Sequence, residues 1–393
     1  MAEKVNMFMH LRSGLRTMLT VGAMAAGLSA AAQTQTPSTP PAPEAAAAPA
    51  SPKLWRVGPM AVTGFVDGYY SYNHNTPTEA DNGKMNDYYN FNQDANQPGL
   101  SAAKLTLNHD PGLLGARIDL IYGRTNRLVN APRQLEYVEQ AYISTKPPRW
   151  KGAELDLGKF VTSAGAEVIE AKDNWNYSRS LLFSWAIPYY HFGLRSAIPV
   201  SKSETIGVQL VNGWNNITES TGGVTVGLTS ALVKPKYTWN VNVYTGPEDT
   251  SGQNAFRNLF DTTVLLTPNA KFNAYVNFDY GENRDSKSHG AGDDTVSRWD
   301  GLAFAAHEQL TTSQAVAGRI EVFDDMDGFS TGTSQTLKEF TGTYEHKFKH
   351  GFLSRLEYRH DWSDAPTFHK ENGMTDSQDT VSAGIILVLA PGQ

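Results

Sequence analysis

The chain of 393 residues contains no cysteine, and only 19% of it is charged. Without cysteine there is no disulfide framework, no thiol nucleophile and no cysteine-ligated metal. After the N-terminal segment, no run approaches the ~18 consecutive apolar residues that a membrane helix needs. The longest, Ala383 to Ala390, is less than half of that. Gly-x-Ser-x-Gly occurs once, at Gly328-Phe-Ser-Thr-Gly332, but between two alternating segments and not at a strand-to-helix elbow. There is no phosphate-cradling glycine loop, and no second histidine to complete a zinc-protease pair after His307-Glu308. The net charge of −7 disfavours nucleic acid, because an acidic surface cannot replace phosphate counterions. Helical membrane proteins, cysteine chemistry and nucleic-acid binding therefore fall away.

What is present begins at the N-terminus. Lys4, Arg12 and Arg16 precede an apolar stretch from Met18 to Leu28, and Ala30-Ala31-Ala32 follows. This is the pattern of a secretory signal peptide over residues 1–32, expected to be cleaved after Ala32, with an uncleaved anchor as the alternative. Residues 33–53 are almost wholly Ala, Pro, Thr, Ser and Gln, which bury too little apolar surface to offset ordering entropy. They are expected to form a disordered periplasmic tether. The rest, 54–393, is expected to be one domain.

That domain alternates with period two. Tyr237, Trp239, Val241 and Val243 oppose Thr238, Asn240, Asn242 and Tyr244; Phe272, Ala274, Val276, Phe278 and Tyr280 oppose Lys271, Asn273, Tyr275, Asn277 and Asp279. Phe352, Leu356 and Tyr358 oppose Arg355, Glu357, Arg359 and Asp361. Successive side chains of a strand point to opposite faces, so each segment has a greasy and a wet side. Sixteen such segments are expected, near 60–73, 100–109, 115–123, 135–145, 153–161, 189–199, 204–213, 224–233, 236–245, 257–267, 270–281, 297–310, 314–323, 336–347, 351–362 and 379–389. Their connections alternate between short, such as Lys234–Pro235 and Pro268–Asn269, and long, such as His74–Gly99 and Thr162–Pro188. A soluble sandwich has no reason to sort loop length by parity. An all-β, transmembrane, antiparallel up-and-down barrel does, with tight periplasmic turns and long extracellular loops. Tyr70, Tyr72, Tyr122 and Tyr190 would form the outer aromatic girdle, and Trp239, Phe272, Phe348 and Phe352 the periplasmic one.

Several segments resemble a known family. Gly64-Phe-Val-Asp-Gly-Tyr-Tyr70, Gln140-Ala-Tyr-Ile-Ser144, Leu155-Asp-Leu-Gly-Lys-Phe160, Asn174-Trp-Asn-Tyr-Ser178, Val211-Asn-Gly-Trp-Asn215 and the run from Arg319 to Gly328 resemble the OmpL-like group of outer-membrane β-barrel porins. The resemblance implies a pore in a bacterial outer membrane. One feature departs from it: such barrels usually end in an aromatic residue read by the barrel-assembly machinery, whereas this chain ends Leu389-Ala-Pro-Gly-Gln393.

The expected function is passive diffusion of small hydrophilic solutes or ions, with no chemistry and no cofactor. Outer-membrane lipid surrounds the barrel, a homotrimer is a possible assembly, and the acidic balance leans toward cations. A channel selects by radius and by the charges at its narrowest ring. Candidates for that ring lie in the third long loop (Glu167, Glu170, Lys172, Asp173, Arg179), which by position resembles the constriction loop of general porins, although a surface cap is the alternative. Wall candidates are Arg117, Asp119, Asp261, Lys271, Asp279, Arg319, Glu321, Glu339, Arg355, Glu357 and Arg359. A mid-depth arginine facing lipid would cost about 2–4 kcal/mol, so these charges mark the luminal face. They form either a neutralising lattice, which is favoured, or a transverse field. The rivals are a barrel hydrolase, for which His360-Asp361 is the adjacent pair, and a plugged structural or adhesive barrel. Asp324, Asp325, Asp327 and Gly328 fail the EF-hand spacing, and the late histidines His346, His350, His360 and His369 have no metal-binding geometry. The sequons at Asn176 and Asn216 are read as chance.

Overall fold

The computed structural model describes residues 55–389 apart from 110–111, 130–134, 219–221, 251–252 and 286–294. The expected signal peptide and the tether lie outside the described residues.

The alternating segments become strands: β1 (Trp55–Val57), β2 (Met60–Asn73), β3 (Gln97–His109), β4 (Leu114–Tyr122), β5 (Val138–Thr145), β6 (Glu154–Val161), β7 (Tyr190–Ser201), β8 (Glu204–Val211), β9 (Thr225–Lys234) and β10 (Tyr237–Thr250). They continue with β11 (Gln253–Leu266), β12 (Phe272–Asp285), β13 (Thr295–Gln309), β14 (Gln314–Asp325), β15 (Gln335–Lys347), β16 (Phe352–Ser363), β17 (Phe368–Lys370), β18 (Gly373–Thr375) and β19 (Ser377–Leu389). Each of β2 to β16 pairs antiparallel with its chain neighbour, β16 pairs with β19, and β19 returns to β2 through Thr380↔Asn73 to Leu389↔Gly64. The result is a closed antiparallel barrel of 16 strands, with no open edge in the wall. Outside that ring, β1 forms a small hairpin with β2, and β17 one with β18.

Every wall strand falls within a few residues of its expected place. The largest departure is the hairpin of β10 and β11, paired from Tyr237↔Leu266 out to Thr250↔Gln253; β12 also runs to Asp285, four residues into an expected loop. The sequence reading placed a long loop over Gly246–Phe256. Gly246 and Pro247 look like strand breakers, yet ladder pairing with Arg257 and Phe256 carries both strands through them.

The faces sort as an inside-out protein. Leu105, Ile118, Leu157, Val208, Leu228, Val276, Leu302, Ile320, Phe340, Leu356 and Ile385 are exposed on the outer surface. Their opposite-parity neighbours Lys104, Asp119, Asp156, Asn277, Arg319, Glu339 and Arg355 are buried within the ring. This orientation suits hydrocarbon outside and polar contents inside. Tyr70, Tyr72 and Tyr122 are exposed at the long-loop rim, and Trp239, Phe272, Phe348 and Phe352 at the short-turn rim. Tyr190 corrects the expected girdle. It points outward by parity but is only 3% exposed, with the Lys159 ammonium 4.1 Å from its ring centroid. Lys159 in turn donates to the carbonyls of Val129 and Val138, so the helical turn Asn126–Val129 covers this part of the outer wall.

Ile320, 53% exposed near the middle of β14, tests the assignment of faces. Ile320→Arg should cost about 2–4 kcal/mol in reversible urea unfolding from lipid vesicles. A negligible cost would place residue 320 in water.

Candidate constriction site

The segment between β6 and β7, residues 162–189, does not remain at the rim. It turns into the barrel at Gly165, whose φ of 90° lies in the region that favours glycine. A loop carried into a closed barrel must find partners for its backbone N–H and C=O groups. The wall supplies them with charge. Asp261 accepts the Gly165 amide at 2.9 Å, Glu357 those of Tyr177 and Ser178, and Glu321 those of Leu181 and Leu182 at 2.6 and 3.1 Å. Guanidinium groups take the carbonyls. Arg355 donates to Ala171, Asn174 and Asn176, Arg319 to Ser178 at 3.0 Å, and Arg359 to Arg179 at 2.7 Å. Hydrogen bonds to ionised partners are roughly twice as strong as neutral ones.

The same wall charges also neutralise one another. Arg319 lies 2.9 Å from Glu339 and 2.6 Å from the loop's Glu167; Arg355 lies 2.7 Å from Glu345, and Arg359 2.6 Å from Asp361. Side chains complete the seat: Tyr177 donates to Asp67 at 2.8 Å, Asn176 to Thr343 at 2.8 Å, and Trp299 to the Ala186 carbonyl at 3.0 Å. Two wall glycines leave room for the loop. A methyl group at Gly384 would overlap the Tyr177 ring, and one at Gly301 would press on Leu182.

Further toward the long-loop rim, residues 74–96 lie over this loop. Asn90 donates to the Ser184 carbonyl and the Tyr189 hydroxyl, Trp185 donates to the Tyr88 carbonyl, and Phe91 packs on Phe183 and Tyr189. Tyr88 meets Phe368 of the β17–β18 hairpin edge-on. Three loops are therefore stacked inside the mouth.

On the β3–β7 side, among the described residues, the loop forms an ion pair with the wall at Lys104. Lys104 of β3 contacts Glu170 of the loop, together with Glu139 and, at 3.0 Å, Asp119. Burial pushes the Glu170 carboxyl up, but Lys104 and then Lys172 pull harder, so it sits below the usual carboxylate range. Nearby, Arg117 pairs with Asp119 at 3.0 Å, and Arg195 with Asp156 at 2.7 Å while lying over Tyr142 and Phe160.

Of the residues singled out in the sequence, Asp261, Arg319, Glu321, Glu339, Arg355, Glu357 and Arg359 gather against the loop, with Glu167 and Arg179 on the loop's own side. Asp279 stands directly opposite Asp261 in the ladder. Glu170 meets the Arg117–Asp119 side, and Lys172 pairs with its neighbour Asp173. Lys271 is placed elsewhere, exposed in the short turn before β12. Sequence reasoning missed Lys104, Glu139 and Asp67; the inward parity of Lys104 and Asp67 on strands β3 and β2 was the available signal. His360 and Asp361, adjacent in sequence, face opposite ways. His360 pairs outside with Asp379 at 2.9 Å, whereas Asp361 pairs inside with Arg359. Asp325 spends its carboxylate on the amides of Ser330 and Thr331 and the Thr331 hydroxyl, and Asp327 accepts the Arg298 amide. Asn176 of the first sequon is buried in the lumen.

With this geometry in place, comparison with known proteins is informative. The model of the family described as "Putative beta-barrel porin-2, OmpL-like" matches residues 59–389. No curated protein matches the chain in sequence. Among solved structures, the anion-selective porin from Comamonas acidovorans superposes with a TM-score of 0.57 at 12% identity, over 84% of this chain and 99% of that one. The outer membrane channel DcaP of Acinetobacter baumannii gives 0.59 at 8% identity, over 84% and 97%. OmpT, an outer membrane protein of Vibrio cholerae, gives 0.55 at 11%, over 86% and 99%. At such identities the likeness concerns the fold.

Arg355→Ala removes three carbonyl partners of the loop and leaves Glu345 buried without its guanidinium. A stability loss of about 3–5 kcal/mol is expected, read as a lowered thermal unfolding midpoint in detergent. A loss no larger than that of an exposed salt bridge would mean the loop is not seated there.

Proposed function

The chain belongs to the OmpL-like porin-2 family of β-barrel porins, and from that premise we propose that it is a narrow outer-membrane channel through which small hydrophilic solutes diffuse passively. One observation carries the reading: the polar wall encloses a long loop seated across its waist, so any solute must pass between loop and wall. Radius and local charge at that point decide what passes. No bond is made or broken in this account, and no cofactor is called for. The N-terminal signal peptide and the tether of residues 33–53 belong to the same proposal, as do export to the outer membrane of a Gram-negative cell and insertion by the barrel-assembly machinery. A homotrimer is part of it too, and the trimer form of Vibrio cholerae OmpT supports that possibility.

The charges at the waist are largely spent on each other and on the loop's backbone. Ion preference should therefore be weak, with the acidic loops tipping it toward cations. Refolded protein in planar bilayers should show small, discrete conductance steps, and a salt gradient should give a small reversal potential of the cation-selective sign. Silent bilayers would favour the plugged structural barrel, and a strong anion preference would overturn the selectivity.

A further inference from the structure

We infer that the solute route runs along the seam between the third loop and the β3–β7 wall, and that the Lys104–Glu170 contact is the clasp restraining it. This rests on the channel reading above and says where that channel opens.

Two independent observations point to the seam. The first is the distribution of ties. Toward β11, β14, β15, β16, β19 and β2, the loop is held by buried carboxyl and guanidinium groups bonded to its backbone, by Tyr177 on Asp67 and by the close fit at Gly384. Parting there breaks many bonds at once and leaves the Glu357 carboxylate to the Thr343 hydroxyl, although Arg319, Arg355 and Arg359 keep Glu339, Glu345 and Asp361. Toward β3–β7, the charged tie among the described residues is Lys104 with Glu170. Lys104 keeps Asp119 and Glu139 when Glu170 leaves, so its ammonium is not orphaned. This side can part at the least cost.

The second observation is where water reaches the waist. On the docked side, Arg319, Glu339 and Arg359 have side chains no more than 1% exposed. At the seam, Arg117 is 19%, Glu170 17% and Arg195 13% exposed, and Lys172 reaches 22%. Water thus reaches the waist where the charged ties are fewest.

The route offers a mixed surface. Two guanidinium groups face water from the wall, with Asp119 and Asp156 more deeply buried behind them, while the loop presents Glu170, Lys172 and Asp173. Small zwitterionic solutes, carrying a carboxylate and an ammonium, fit such a pairing of opposed charges across a narrow gap.

Cysteine mapping tests this directly, because the chain has no cysteine of its own. Single variants Arg117→Cys, Tyr142→Cys and Arg195→Cys report on the seam; Thr341→Cys and Ser382→Cys report on the docked side. Each is recorded in bilayers before and after a charged, water-soluble methanethiosulfonate. Modification should roughly halve the conductance at the three seam positions and leave the two docked positions unchanged. Block confined to positions 341 and 382, or no block anywhere, would overturn the seam while leaving the channel itself established. Absence of current in the unmodified chain would overturn the channel reading instead. Glu170→Gln and Lys104→Gln should each raise conductance, and unchanged values in both would remove the clasp.

Discussion

The rest of the structure depends on the need to pair every backbone polar group that is carried out of water. A strand satisfies this by closing the ladder, and the barrel is the closed form. The third long loop has no such ladder available once it enters the lumen. Glu321, Glu357 and Asp261 take its amides, and Arg319, Arg355 and Arg359 its carbonyls. Carboxyl and guanidinium side chains in the wall thus do for the loop what neighbouring strands do for the wall.

This changes the meaning of the charged columns on β14, β15 and β16. A lattice of neutralising pairs and a transverse field are the two ways such columns are usually read. The pairs are present, but each member also reaches the loop or a partner that does. Arg319 touches Glu339 in the wall, Glu167 in the loop and the Ser178 carbonyl together. The lattice is a docking surface first. What remains for solutes is the less occupied side, where Arg117 and Arg195 face water.

Much of the fold was legible because the period of a strand is two, and a lipid-exposed barrel cannot relax that rule. A soluble protein can bury a charge on its greasy side behind another layer; this wall can do so only where a loop covers it. Lys159 and Tyr190 show that case, and there the sequence reading failed. The strands β10 and β11 were read short because Gly246 and Pro247 are breakers in isolation, whereas ladder pairing overrides local preference. The site was legible by residue type and not by partner. Parity placed Arg355, Glu357 and Arg359 inside, but their partners lie some 180 residues away in sequence. The glycine at 384 could not be recognised as a seat for Tyr177 without the loop in place.

The central claim is that the third loop lies inside the barrel, held to the wall of β14–β16. Asn176 and Thr343 touch across that junction at 2.8 Å. Replacing both by cysteine in the cysteine-free chain should give a disulfide on mild oxidation of the refolded barrel, seen as a mobility shift reversed by reductant. If both thiols instead stay free and react with a bulky water-soluble reagent, the loop lies outside and the account is wrong.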